Sequence, residues 1–238
     1  MNLWHEILYR PLFNLLIGIY NIIPGADMGL AIIGLTILIK LLLWPLTHSS
    51  LKSQKALQEI QPKLEELKAK HKDDKEALAK AMMELYTAEK VNPLSSCLPI
   101  LIQLPILIAL YQVLSAGLTA DSLNALYAFV PNPGTINETF LGFVNLAERS
   151  IPLAILAGIL QFVQTRMLIA KRPPKKLRTK EGAKDEDMLA AMNDSMLYFM
   201  PVMTVVIGAS LPGGLTLYWV AVNAISIFQQ ALAFRKKK

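Results

Sequence analysis

The sequence predicts an all-α integral membrane protein with five transmembrane helices, and three observations predict it. Hydrophobic residues make up 53% of the 238 while charged residues still reach 18%, at a mean hydropathy of +0.40. The two classes are sorted into blocks, with apolar runs at 28–46, 94–115, 151–170, 196–211 and 213–234. Of the 24 Lys and Arg, 20 lie in 47–93, 171–195 and 235–238, and only Arg10 and Arg149 fall in the remaining loops. A helix rising about 1.5 Å per residue needs about 20 residues to cross a hydrocarbon core of about 30 Å. Four runs meet that length, and 196–211 does so only if residues 193–195 extend it. The runs lack strand alternation and are too long for barrel strands. Basic loops stay in the cytosol, so the five spans run N-out, C-in.

Residues 1–27 precede the first span. They have no basic stretch ahead of an apolar core and no small-x-small cleavage site, so they are not a signal peptide. Leu12 to Ile23 is too short to cross. Arg10, Asn14 and Asn21, at i, i+4 and i+11, share a helical face. This predicts an extracytoplasmic interfacial helix with its apolar side in lipid, the alternative being a partial span packed on the bundle.

The segment 47–93 carries nine Lys and eight acidic residues. Leu57, Ile60, Leu64 and Leu67 are spaced 3, 4, 3, and Leu78, Ala81, Leu85 and Ala88 repeat that spacing. Two such seams predict a cytosolic antiparallel helical hairpin. Asp73 with Glu76 has the form of a capping box opening its second helix, and Glu59/Lys63, Glu66/Lys70 and Glu76/Lys80 are favourable i, i+4 pairs. Forty-seven patterned residues exceed what a spacer requires, so the hairpin is expected to meet something. Residues 116–150 form the extracytoplasmic loop, with a turn at Pro131-Asn132-Pro133-Gly134. Residues 171–195 are a charged cytosolic loop whose Lys and Arg are topological and face lipid, and 235–238 a basic cytosolic tail. Cys97, the single cysteine, reads as a small buried residue of the second span.

Enzymatic chemistry finds no constellation. His5, His48 and His71 are scattered, and His5-Glu6 has Tyr9 where a second zinc ligand would stand. Ser210 and Ser226 lie in spans that hold no histidine to activate them. Leu211-Pro212-Gly213-Gly214 is a turn and not a phosphate loop. The +6 net charge belongs to the cytosolic segments and implies no nucleic-acid site. The sequence therefore predicts no enzyme, no metal and no cofactor.

What remains is organised polarity inside the membrane. Lys40 lies in the first span with Thr36 one turn before it on the same face. Gln103 is in the second span, Gln161 and Gln164 in the third, and Trp219 and Asn223 in the fifth. A lysine near a helix centre costs roughly 2.5–3.5 kcal/mol on insertion scales, and eleven Leu and Ile in 28–46 offset that. Lys40 is about 9 Å from the inner end by helical rise, so snorkelling to the interface is one reading. No Asp or Glu occurs in any span to neutralise it, and polar residues recur in three other spans, which favours a water-containing cavity. A small transporter or channel using Lys40 is the alternative function. Such proteins commonly show span repeats, and none is visible here.

From about Met28 to the tail the chain resembles the YidC/Oxa/Alb family of membrane-protein insertases. The resemblance rests on Thr36–Leu46 (TILIKLLLWPL), Met82–Pro93 (MMELYTAEKVNP), Pro99–Tyr111 (PILIQLPILIALY), Pro212–Asn223 (PGGLTLYWVAVN) and Gln229-Gln230. It implies a hydrophilic groove in the inner half of the membrane, open to cytosol and lipid, that receives a substrate's polar segment while its apolar helix slides into lipid. Lys40 stands at the family's groove charge, which is usually Arg, and Thr36 and Trp219 at groove-lining positions. Gln103 and Gln164 also match polar positions of the family. The resemblance further implies nascent membrane proteins as partners, with a ribosome, the signal recognition machinery and a Sec translocon as candidates, and a bacterial cytoplasmic membrane as location. The expected form is short, without the large extracytoplasmic domain, the additional first span or the lipoprotein cysteine of other members. Its tail, Arg235 to Lys238, weakens the expectation of strong ribosome docking.

Overall fold

The computed structural model describes residues 3–71, 74–92, 98–115, 120–168 and 195–234. A π-helical turn at His5–Tyr9 leads into α1 (Arg10–Ile22), followed by α2 (Met28–Leu42), α3 (Trp44–Lys70) and α4 (Lys75–Ala88). Then come α5 (Leu98–Ser115), the short α6 (Ala120–Leu123), and the strands β1 (Thr139–Phe140) and β2 (Val144–Asn145). The chain ends with α7 (Ile151–Leu168), a π-helical turn at Ser195–Phe199, α8 (Met200–Gly208) and α9 (Gly213–Phe234). By length and composition α7 and α9 can each cross a membrane. The pair α2–α3 adds a third candidate, bent by 68° at its break. Residues 101–115 and 197–208 are shorter apolar helices. The expected fifth span coincides with α9. Cys97, most of the 171–195 loop and the 235–238 tail lie outside the described residues.

The helices are apolar on both sides. Outward, α7 presents Ile151, Ile155, Leu156, Ile159 and Val163, while inward it buries Leu153, Ala154, Ala157 and Gly158. Small residues inside and large aliphatic ones outside is the arrangement of a helix packed in lipid, where close approach and not water exclusion drives association. At Gly158 a Cβ would lie 2.4 Å from a Val205 methyl and 3.0 Å from the Pro201 carbonyl oxygen. Gly158→Val therefore has to push α8 from α7, a cost of about 1–3 kcal/mol for overpacking. We expect a lowered thermal midpoint in detergent, whereas Gly18→Ala, which meets nothing within 4 Å, leaves it in place.

One boundary differs from the sequence reading. The first span was expected to run to Leu46, but α2 stops at Leu42 and α3 starts at Trp44. Pro45 explains the break: it fits a helix's first turn but cannot donate to the preceding turn, whose carbonyl its ring would strike. The first hairpin helix thus begins at the end of α2, with Leu51 buried where α3 meets α9.

The hairpin has its own small core of Ile60, Leu64 and Val91, covered by Ala56, Leu57, Met82, Leu85 and Tyr86. The seam of α3 keeps Leu57, Ile60 and Leu64 of the four residues expected, with Ala56 joining them and Leu67 outside the cluster. That of α4 is displaced: Met82 and Tyr86 join Leu85, and Ala88 is exposed. Met82, one position after Ala81, and Tyr86, two before Ala88, supply the volume that the alanines lack. The N-cap is Asp74, whose carboxylate accepts from the Ala77 N–H at 2.9 Å, one residue after the Asp73 cap expected. Lys63 pairs with Glu89 across the hairpin.

The N-terminal helix needs a larger correction. Its apolar side was expected in lipid, yet Phe13, Leu16, Ile17 and Tyr20 are buried in the main core against α2 and α5. Its polar side holds the 120–150 loop. Arg10 Nε donates to the Ala125 carbonyl at 3.1 Å and stacks its guanidinium over Tyr127. Asn14 donates to the same carbonyl and accepts from the Tyr127 N–H at 2.6 Å, and Asn21 donates to the Pro131 carbonyl at 2.7 Å. The loop also closes the starts of two helices. Asp27 caps α2 by accepting from Leu30 N–H, and its other oxygen accepts from Leu141 N–H. Gly213 and Gly214 N–H, orphans of the first turn of α9, donate to the Glu148 and Leu146 carbonyls at 2.7 and 2.9 Å.

Candidate functional site

The site forms where α2 faces α9. Lys40 reaches from α2, partly buried, and its Nζ donates to Ser226 Oγ on α9 at 3.0 Å. Among the described residues no carboxylate pairs with it. Thr36, one turn earlier, is fully buried and turns its hydroxyl back to the Ile32 carbonyl of its own helix at 2.6 Å. It adds local polarity without cross-linking helices.

On α9, Trp219, Asn223, Ser226 and Gln230 recur at spacings of 4, 3 and 4, so they form one polar stripe along the helix. Asn223 is buried and donates to the Ala157 carbonyl on α7 at 3.2 Å. Trp219 is partly buried. Toward the C-terminal end of α9, the Gln229 carboxamide and Gln230 Oε1 are buried with no hydrogen-bond partner among the described residues. Gln229 lines a cleft of about 120 Å³ with Trp44, Thr47, His48 and Leu51. The stripe therefore has more hydrogen-bonding capacity than the protein itself uses.

The glutamines divide by role. Gln103 on α5 donates to the Tyr218 hydroxyl on α9. Gln161 on α7 accepts from the Thr204 hydroxyl on α8 at 2.5 Å. These bonds tie helix to helix, as polar groups in membranes often do. Gln164, partly buried, sits one turn further along α7.

Of the seven residues singled out from sequence, Lys40 bonds across from α2 to α9, Thr36 lies buried on α2 one turn before it, and Trp219 and Asn223 lie on the stripe of α9, while Asn223, Gln103 and Gln161 fasten neighbouring helices. Sequence reasoning considered Ser226 only as a nucleophile and dismissed it, so it missed the partner of Lys40. The signal was available in the seven-residue spacing from Trp219. Among the described residues no group of His, Cys, Asp and Glu could hold a metal ion. A lone ammonium among neutral hydrogen-bonding groups can attract and solvate an acidic or polar segment, and it offers no nucleophile–base pair.

Residues 18–238 match the family described as 60Kd inner membrane protein. The chain is 35% identical over 210 residues to a protein of Fusobacterium nucleatum called membrane protein insertase YidC, covering 88% of this chain and 87% of that relative. A protein of the same name from Pelobacter propionicus is 34% identical over 227 residues, 95% of this chain but 38% of the relative. Against longer relatives of that kind the chain thus spans less than two-fifths of their length. In fold it is similar to the crystal structure of an active YidC insertase with its first transmembrane domain resolved, with a TM-score of 0.60 at 24% identity, over 99% of this chain and 47% of that one.

Proposed function

The chain belongs to the 60Kd inner membrane protein family, and from that membership and its lysine site we propose that it is a membrane protein insertase. The carrying observation is Lys40, a partly buried ammonium on an apolar helix with a hydroxyl partner and, among the described residues, no carboxylate. The facing surfaces of α2 and α9 form a hydrophilic groove open to cytosol and lipid, with Thr36, Trp219, Asn223 and Ser226 around the charge. Gln103, Gln161 and Gln164 hold its walls.

Physically, the groove lowers a barrier. Moving unpaired polar groups into hydrocarbon costs several kcal/mol each. A polar surface reaching part-way through the bilayer shortens the apolar distance, and Lys40 attracts acidic groups of the entering segment. Net direction comes from burying the substrate's apolar helix in lipid, at about 25 cal/mol per Å². Substrates are nascent membrane proteins. The hairpin α3–α4 is where a ribosome, the signal recognition machinery or a Sec translocon would deliver them.

The reading places five spans N-out, C-in in a bacterial cytoplasmic membrane. Single cysteines at Lys72 and Lys180, in a Cys97→Ala background, should escape an impermeant thiol reagent in intact cells, and one at Asn132 should react. External labelling at 72 would reverse the assignment. The function itself is tested by reconstituting the purified chain in lipid vesicles with a single-span substrate bearing an acidic tail. Protease protection of that tail should rise several-fold over empty vesicles. Protection equal to empty vesicles, in preparations whose topology is correct, would sink the proposal.

A further inference from the structure

We propose that the tip of the outer β-hairpin, Leu141 with Phe143, inserts into the outer leaflet of the bilayer and anchors the extracytoplasmic loop to lipid. The proposal takes from the preceding reading only that α2 enters the membrane from outside near Met28.

The hairpin is short, with Phe140 opposite Val144 and Thr139 opposite Asn145. Its turn has positive φ at both central residues, 52° at Leu141 and 80° at Gly142. Such a turn favours Asn, Asp or Gly at both positions, because a Cβ crowds the backbone there. Leucine serves the turn poorly, and its side chain packs on little: Leu141 is 54% exposed and Phe143 76%. A strained apolar residue presented outward at a tip points to a function beyond the turn itself.

The level of the tip is fixed by its contacts. Leu141 N–H donates at 2.6 Å to Asp27, the residue that caps α2. Phe140 lies over the first turn of α2, where a Cβ on Gly29 would come within 2.2 Å of its ring. The tip is thus held beside the point where the apolar run of α2 begins. Residues 139–145 (TFLGFVN) carry no charge. The Phe143 N–H donates to the Phe140 carbonyl at 3.2 Å, so with Leu141 bonded to Asp27 neither flanking donor would be orphaned on leaving water. Ile22 and Phe129, 82% and 80% exposed, lie at the same end, near the Asn21 bond to Pro131.

Lipid, and not a protein partner, is the occupant that fits. Two side chains offer far less than the roughly 800 Å² per partner of a stable protein interface. A chain already held by its spans needs no independent affinity for lipid, so two apolar side chains at the headgroup boundary suffice to fix the loop. The anchor would hold the loop, which bonds to α1 and closes the starts of α2 and α9, at the membrane surface.

The test uses the full chain in vesicles, with Cys97→Ala and an environment-sensitive fluorophore on Phe143→Cys. Emission should be blue-shifted and quenched at least twofold by lipids brominated near the carbonyl end of the acyl chain. The same probe on Asn132→Cys should show neither effect. Adding Leu141→Asn, which suits the turn better, should weaken quenching at 143 without loosening the hairpin. Water-like emission at 143, unaffected by brominated lipid, would overturn the proposal. So would a blue shift that ignores brominated lipid and grows with protein density, which identifies a protein partner. Insertion activity is not part of the readout, so the anchor and the insertase reading fail separately.

Discussion

Deleting residues 55–88 and joining the ends with a short Gly/Ser bridge is expected to abolish insertion, by at least tenfold, while leaving the remaining helices folded. The expectation follows from the separation of the two cores. Ile60, Leu64 and Val91 make a cluster that shares no side chain with the larger one of Phe13, Ile32, Leu110 and Tyr218. Removing α4 and most of α3 therefore takes a unit away and opens no cavity in the bundle. Ser50 and Leu51 stay, so the buried contact of α3 with α9 survives. What disappears is the hairpin surface, together with the Gln58 bond to the Leu168 carbonyl at the end of α7. If the hairpin receives substrates, the shortened protein should show an unchanged thermal midpoint in detergent and no protected acidic tail in vesicles. Full insertion of every substrate tested would reduce the hairpin to a spacer. A collapsed midpoint would show that the cores are not separable.

How far the sequence could be read depends on which partner each residue uses. Apolar blocks are legible because a helix in lipid is apolar all round, and α9 begins and ends where the run 213–234 does. The stripe of Arg10, Asn14 and Asn21 was equally legible. Its destination was not, because the partners are main-chain groups of Ala125, Tyr127 and Pro131, and a carbonyl leaves no trace in residue type. Asn223 and Gln161 show the same division: their polarity is plain, but the Ala157 carbonyl and Thr204 hydroxyl that take it up appear only in the packed helices. Two misses had signals. Pro45 announced the end of α2, and the 4, 3, 4 spacing on α9 announced Ser226. The seam of α4 had a misleading one, since Ala81 and Ala88 keep heptad spacing while Met82 and Tyr86 supply the volume.

At Lys40 the largest effect is expected from reversing the charge. A structural lysine that merely snorkels is replaceable by any residue a span accepts, and Lys40→Leu would then match the parent on every substrate. A groove charge predicts an order instead. Lys40→Arg keeps the positive charge and a donor for Ser226 Oγ, so activity should stay near that of the parent. Lys40→Ala loses the attraction, but Thr36, Trp219 and Asn223 keep the surface polar, giving partial loss on acidic tails and little on neutral ones. Lys40→Glu replaces attraction with repulsion. Two unit charges at 4 Å interact by about 4 kcal/mol at an effective dielectric of 20, and about 1.4 kcal/mol is a factor of ten. Even a strongly screened fraction of that energy leaves Lys40→Glu at least about tenfold below the parent on an acidic-tailed substrate. Basic-tailed substrates should suffer less, because there the sign of the new charge is favourable. Ser226→Ala separates the charge from its tether: the ammonium loses one neutral partner and no charge changes, so insertion should hold within about twofold. The measurement is protection of acidic, neutral and basic tails at equal protein levels. Equal performance of Lys40→Glu and the parent on all three would remove Lys40 from the mechanism and leave α9 alone to bind the substrate.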